Sequence, residues 1–347
     1  MSRFPNSLRK CDSLNLKRKL IRLVIGILFI TALSYGALLW WTANEIASPR
    51  RAVVTEAHQN YFEKPSTTGF DVEKFVSASG MPWLICTPRQ TLELSDRAKI
   101  IREQLDERGH PLMPSGETLG TLLILHGRKG IKENYLAVAD RFCAVGLRCM
   151  IPDLPGHGAN QEENATYGIH EAEMILDGYR EITESLKIQP KPCAILGQSM
   201  GGSVAMHVAT EAESPFEALI IVSSFDRLEG VIQYQTSNLL GRTLGQAVQT
   251  PASAIYWWKT KVNISDINPA EKAVSLQIPA LVIHGDADRV VPTSAGRSLY
   301  KNIPDINRKQ WITVPGAEHA NIWITDFPLY ASIAEWTLKH ISPPPND

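Results

Sequence analysis

Short apolar runs alternate with helix-like stretches from Gly120 to Val314, which predicts an α/β fold with a mostly parallel central sheet and helices on both faces. The polar, glycine-bearing loops fall just past the apolar runs, on the side where such sheets place their ligands. One long uncharged segment near the N-terminus predicts a single transmembrane helix ahead of the domain.

That segment, Leu23 to Trp41, carries no charge over 19 residues. As a helix it spans about 28 Å, close to the hydrocarbon thickness of a bilayer. Arg9, Lys10, Lys17, Arg18, Lys19 and Arg22 precede it, and Trp40 and Trp41 suit an aromatic belt at headgroup level. The basic bias predicts a cytoplasmic tail over 1–22, a transmembrane helix over 23–41 and an extracytoplasmic domain. One competing reading is a cleaved signal peptide, against which the length of the run and the lack of a clean small-x-small site count. Another is a buried core helix, against which the lack of any polar face counts. Residues 42–70 mix charge, proline and polar residues and read as a linker. The domain is expected over 71–342.

The net charge of −1 offers no basic field for nucleic acid. Cys11, Cys86, Cys143, Cys149 and Cys193 are an odd, dispersed set, read as free thiols, four of them in or beside apolar runs. A Cys143–Cys149 disulfide is the alternative in an oxidising compartment. No organic cofactor or metal is implied, since neither a C-x-x-C pair nor a His/Cys cluster occurs.

Strands are expected at 120–125, 147–151, 194–196, 219–222, 280–283 and 310–314, with two more between Lys74 and Pro88 around a Gly-Met-Pro turn. Helices are expected at 92–108, 134–144, 168–187 and 199–210.

The chemistry gathers in four loops. Gly197-Gln198-Ser199-Met200-Gly201 is a G-x-S-x-G between a strand and a helix of small residues, the setting of a nucleophile elbow. The plain alternative is a serine N-cap. The helix N-terminus there favours negative charge, so an oxyanion on Ser199 would be stabilised. His126-Gly127-Arg128 follows the first parallel strand; with the N–H of Met200, the N–H of Arg128 would complete a two-donor oxyanion hole. The Arg128 and Lys129 side chains read as solvated or as attractors of an acidic substrate group. His284-Gly285-Asp286-Ala287-Asp288 and Pro315-Gly316-Ala317-Glu318-His319 follow the last two strands and supply a carboxylate and an imidazole. Serine needs a base to take its proton, and histidine needs a carboxylate to fix its tautomer.

LHGRKGIKENYLAVADRF, IPDLPGHG, GQSMGG, IPALVIHGDADRVVP and VPGAEH, in that order, resemble the α/β-hydrolase superfamily over about residues 70–340. Within it the chain looks most like the serine aminopeptidase/monoacylglycerol-lipase-like and BEM46-like branches. The resemblance implies Ser199 as nucleophile, His319 as base and Asp288 as acid, leaving Asp286 to cap its loop. Asp226 is the second choice of acid. Gln198 departs from the histidine common before the serine. His157 reads as a structural loop residue and His207 as packed, while His170 faces either cleft or solvent. Asp153 and Asn134 read as loop buttresses.

The stretch of about 224–278 is where this fold inserts a lid, here with Leu239, Leu240, Tyr256, Trp257 and Trp258. Those aromatics pack the lid to the sheet in the plain reading; an apolar lid also suits an acyl substrate. The expected function is hydrolysis of carboxylic, lipid-like esters, with small-molecule esters and the membrane as partners. The alternatives are an amide or peptide hydrolase with the same triad, or a non-catalytic binding protein. Epoxide or haloalkane hydrolysis would want aspartate at position 199.

Overall fold

The computed structural model describes residues 7–63, 68–91, 93–110, 112–305 and 308–341, with α1 side chains from Lys17 onward. Helices α1 (Ser7–Ala47) and α2 (Glu56–Glu63) lead into an antiparallel pair, β1 (Phe70–Val76) and β2 (Pro82–Pro88). Then follow α3 (Asp96–Glu107), β3 (Gly120–Leu125), a short 3₁₀ turn (Lys132–Tyr135), α4 (Leu136–Cys143), β4 (Leu147–Pro152), α5 (Glu171–Ser185), β5 (Cys193–Gln198), α6 (Met200–Ala209) and β6 (Ala218–Val222). Within the stretch expected as a lid, about 224–278, lie α7 (Leu228–Leu240) and α8 (Arg242–Thr260). After α9 (Pro269–Ala273) come β7 (Ala280–Gly285), α10 (Thr293–Asn302), β8 (Lys309–Val314) and α11 (Leu329–His340).

The eight strands form one sheet in the order β1-β2-β4-β3-β5-β6-β7-β8. β2 meets β4 antiparallel, and every neighbouring pair from β4 to β8 is parallel. Strand side chains alternate between faces, and here both faces are apolar. Leu123, Leu125, Ile195, Leu219, Ile221 and Val282 pack into one core, with α5, α6 and α10. Leu122, Ile124, Leu196, Ile220, Leu281 and Ile283 pack into the other, with α3, α4 and α11. Helix α3 shows why these segments fold as they do. Ser95 caps it by accepting from Ala98 N (3.1 Å), and Ala98, Ile101 and Leu105 turn one face inward.

The N-terminal helix differs from a span followed by a linker. It runs past the apolar segment to Ala47, and α2 forms within the stretch after it. It is the one helix among the described residues that is long and apolar enough to cross a membrane. The last carbonyls of a helix lack intrahelical donors, and here the domain supplies them. Tyr167 Oη donates to Ile46 O (2.9 Å) and Ala165 N to Ala47 O (2.7 Å). Arg51 then donates to the carbonyls of Gly158 and Glu162, each at 3.0 Å. Along α8, Tyr35 Oη donates to Ala247 O, and Lys259 Nζ donates to Asn44 Oδ1 at 2.6 Å. Cys86, Cys143, Cys149 and Cys193 are free and buried; the Cys11 side chain lies outside the described residues.

Ile220 is fully buried in the central strand β6. Ile220→Ala is expected to cost about 2–5 kcal/mol, since large-to-small core changes lose transfer energy and leave a cavity. Denaturant unfolding followed by tryptophan fluorescence measures it, and a loss under about 1 kcal/mol would contradict the packing described.

Candidate active site

The loops beyond the carboxyl ends of β3, β5, β7 and β8 meet over the sheet. β5 turns directly into α6, and Ser199 sits at the turn with φ 52° and ψ −116°. Non-glycine residues rarely adopt such a backbone, which costs on the order of 1–3 kcal/mol and persists only where the surroundings enforce it. Ser199 N donates to Val222 O (2.9 Å), and Ser224 Oγ donates to Ser199 O (2.7 Å). The flanking glycines make the turn sterically feasible. A Cβ on Gly197 would lie 2.1 Å from Gly201 O, and one on Gly201 would lie 2.2 Å from Leu125 O.

The Ser199 hydroxyl is 3.0 Å from His319 Nε2, and His319 Nδ1 is 2.7 Å from Asp288 Oδ2. The other Asp288 oxygen accepts from Val290 N and Val291 N, both at 2.9 Å. The buried His284 ring approaches Asp288 Oδ2 at 3.5 Å and stacks on Trp311. Burial acts to raise the Asp288 carboxyl, but hydrogen bonds from His284 and His319 and the His319 charge outweigh it and hold the group well below its ordinary range. An imidazole so placed can take the hydroxyl proton while the carboxylate steadies the resulting cation.

The loop after β3 lies alongside. Gly130 N donates to Gly127 O (2.9 Å), Lys129 has φ 65°, and a Cβ on Gly127 would touch Ser199 Cβ at 3.4 Å. His126 anchors the loop from below. Leu154 N donates to its Nε2 (3.0 Å), which leaves Nδ1–H to donate to Gly127 O (2.9 Å). Met200 opens α6, where first-turn N–H groups have no intrahelical acceptor.

Comparison with known proteins agrees with this architecture. Residues 116–269 match the family Hydrolase_4, described as serine aminopeptidase, S33. The chain is 22% identical over 239 residues to a monoacylglycerol lipase of Mycolicibacterium smegmatis, covering 59% of this chain and 83% of that one. It is 25% identical over 184 residues to the human monoacylglycerol lipase ABHD6, about half of each chain. Esterase Pf2001 of Pyrococcus furiosus superposes with a TM-score of 0.58 at 16% identity, over 85% of this chain and 99% of that structure. The fold is the α/β-hydrolase fold, and the family match and the relatives support that superfamily. The protein is a hydrolase, similar to esterases and lipases.

The other sequence candidates of this hydrolase lie elsewhere. Asp286 Oδ1 accepts from Gly316 N (2.7 Å), which braces the loop carrying His319. Asp226 accepts from Arg227 N. His157 is buried beside His126, and burial, then that neighbouring ring, bring it down to about 3; burial brings His207 down to about 4. His170 is exposed. Asp153 accepts from Lys132 N, Lys132 Nζ and Ala159 N, and Asn134 Oδ1 accepts from Ile131 N, so both brace loops. The Arg128 and Lys129 side chains do not simply extend into solvent. Both bond Glu45 of α1, at 3.2 and 2.9 Å.

Sequence reasoning missed Gln198 as a positioning residue. Its Oε1 accepts from Tyr135 Oη and Trp323 Nε1, and its Nε2 donates to His319 O at 3.5 Å. The one available signal was its departure from the usual residue before the serine. The cleft over Ser199 has a volume of about 830 Å³ and draws its walls from α1, the β3 loop, the lid and the His319 loop.

The folded Asp288 carboxyl lies below its unfolded value, so the stability it confers is complete above an unfolded pKa of about 4 and is lost as pH falls toward the folded value. Asp288→Asn removes this contribution. Paired thermal melts between about pH 5 and pH 3 are expected to show a smaller drop in Tm for the variant than for the wild type; parallel curves would refute the assignment.

Proposed function

We propose that this hydrolase is a membrane-anchored serine esterase that cleaves lipid-like carboxylic esters through an acyl-enzyme on Ser199. The observation that carries the reading is the unbroken chain from Ser199 Oγ through His319 to the buried Asp288, opening into a largely apolar cleft. His319 Nε2 takes the hydroxyl proton as Ser199 Oγ attacks the ester carbon. The N–H groups of Met200 and Arg128 receive the oxyanion. Collapse expels the alcohol, which takes the proton from His319. Water, deprotonated by the same ring, then releases the acid and regenerates Ser199. Asp288 keeps Nδ1 protonated and stabilises the imidazolium.

The same machinery would cleave amides, and recognition of a free amino terminus would need an available carboxylate. Among the described residues lining the cleft the sole carboxylate is Glu45, already bonded to Arg128 and Lys129. Glu229 and Asp266, the acidic candidates from the lid sequence, do not line it. Esters are therefore the favoured substrates. Retention of α1 is supported by the hydrogen bonds that close its C-terminal end, and the basic residues before it favour a cytoplasmic N-terminus.

Ser199→Ala and His319→Ala are each expected to lower kcat for p-nitrophenyl acyl esters by about 10³-fold or more. Labelling of the wild type by a fluorophosphonate probe is expected to vanish in Ser199→Ala. A wild type that neither labels nor turns over esters would favour a binding protein instead. With a tag at the C-terminus, protease added to spheroplasts should remove it. A tag that survives until the membrane is broken would reverse the topology.

A further inference from the structure

A helix serving only to tether a domain needs no fixed place on it, and its side chains need not enter the domain's cleft. α1 does both. Leu38, Trp41, Thr42, Glu45 and Ile46, over its last turns, line the same cleft as Ser199. Opposite them stand lid residues including Val231 and Leu239 of α7. Trp40 packs on Trp258 of α8 at 6.3 Å, so the wall is seated against the lid as well as against the β3 loop.

The outer surface continues the pattern. Trp40 and Trp41 on α1 and Trp257 and Trp258 on α8 are all about half exposed, and Leu239 and Leu244 are also exposed on the lid. Tryptophans gather at the headgroup level of a bilayer. Two such pairs on adjoining helices suit a lid set at a membrane surface, beside a cleft lined by both α1 and α7. Exposing each methylene of an acyl chain to water is unfavourable. A pocket wall continuous with the membrane helix lets the chain pass from lipid to site without that exposure.

We infer that the last three turns of α1 are a wall of the acyl pocket, and that Leu38, Trp41, Thr42 and Ile46 set which acyl chains are accepted from the bilayer. The inference rests on the esterase reading above and adds that the membrane helix itself determines specificity. A half-buried Thr42 in this wall is a position where added bulk shortens the pocket.

The test uses the full chain in lipid nanodiscs, comparing kcat/KM for p-nitrophenyl laurate and acetate. Thr42→Trp is expected to lower the laurate-to-acetate ratio at least tenfold. Leu28→Trp, on the exposed part of α1 away from the cleft, should leave the ratio within twofold of wild type. A ratio unchanged in Thr42→Trp, or lowered equally in Leu28→Trp, would overturn the inference while leaving the esterase intact. Loss of acetate turnover in the wild type would sink the esterase reading and the inference with it. In case Thr42→Trp does not fold, a second measurement uses the wild type alone. A dodecyl fluorophosphonate with a terminal diazirine, bound at Ser199 and irradiated, should cross-link to the peptide holding residues 38–46. Cross-links confined to the lid would refute the wall.

Discussion

The strained turn at Ser199 is the constraint around which the rest is arranged. A serine at φ 52° is stable only because three adjacent strands leave it no alternative. β6 receives its N–H through Val222, the end of β3 presses its backbone against Gly201, and β5 delivers the chain with Gly197 too close to Gly201 for any side chain. Two buried cores hold those strands from either face, so the turn cannot relax without moving the sheet. With the hydroxyl fixed, the loops after β7 and β8 need only bring one carboxylate and one imidazole within reach. Asp286 and Gln198 each steady a part of that delivery.

The buried histidines show how environment separates residues of one type. His126, His157 and His207 sit where desolvation favours the uncharged ring, and they serve as donors, acceptors or packing. His319 differs because a carboxylate kept charged by its own hydrogen bonds lies against it. No carboxylate stands at hydrogen-bond distance from the rings of the other three among the described contacts.

What could be read from the chain was what is local. The parallel strands emerged as short apolar runs because a sheet covered on both faces needs no polar alternation, and their bounds shifted by only a residue or two. The turn around Ser199 was legible because its G-x-S-x-G stands between an apolar run and a helix of small residues, although the close approach of Leu125 to Gly201 was not. The partners of Gln198 were not, since Tyr135 and Trp323 lie far off in sequence and carry no mark of their role. β1 starts at Phe70, earlier than its own pattern suggests, because pairing with Pro88 extends it. The true length of α1 was hidden for the same reason: residues 42–47 look like polar linker, and only the domain's donors make a helix end of them. Arg128 and Lys129 read as solvated because nothing nearby in sequence announces Glu45.

The bonds from Glu45 to Arg128 and Lys129 give α1 a fixed rotational phase. Each residue of an α-helix turns by about 100°, so one residue inserted between the apolar segment and Glu45 leaves the apolar segment its length but rotates it relative to the clamp. Either the tryptophans or the carboxylate would then point the wrong way. A passive tether tolerates such length changes freely, whereas this helix is indexed to the loop beside Ser199. A foreign helix of equal length and hydrophobicity would match α1 in composition and still sit out of phase with the domain.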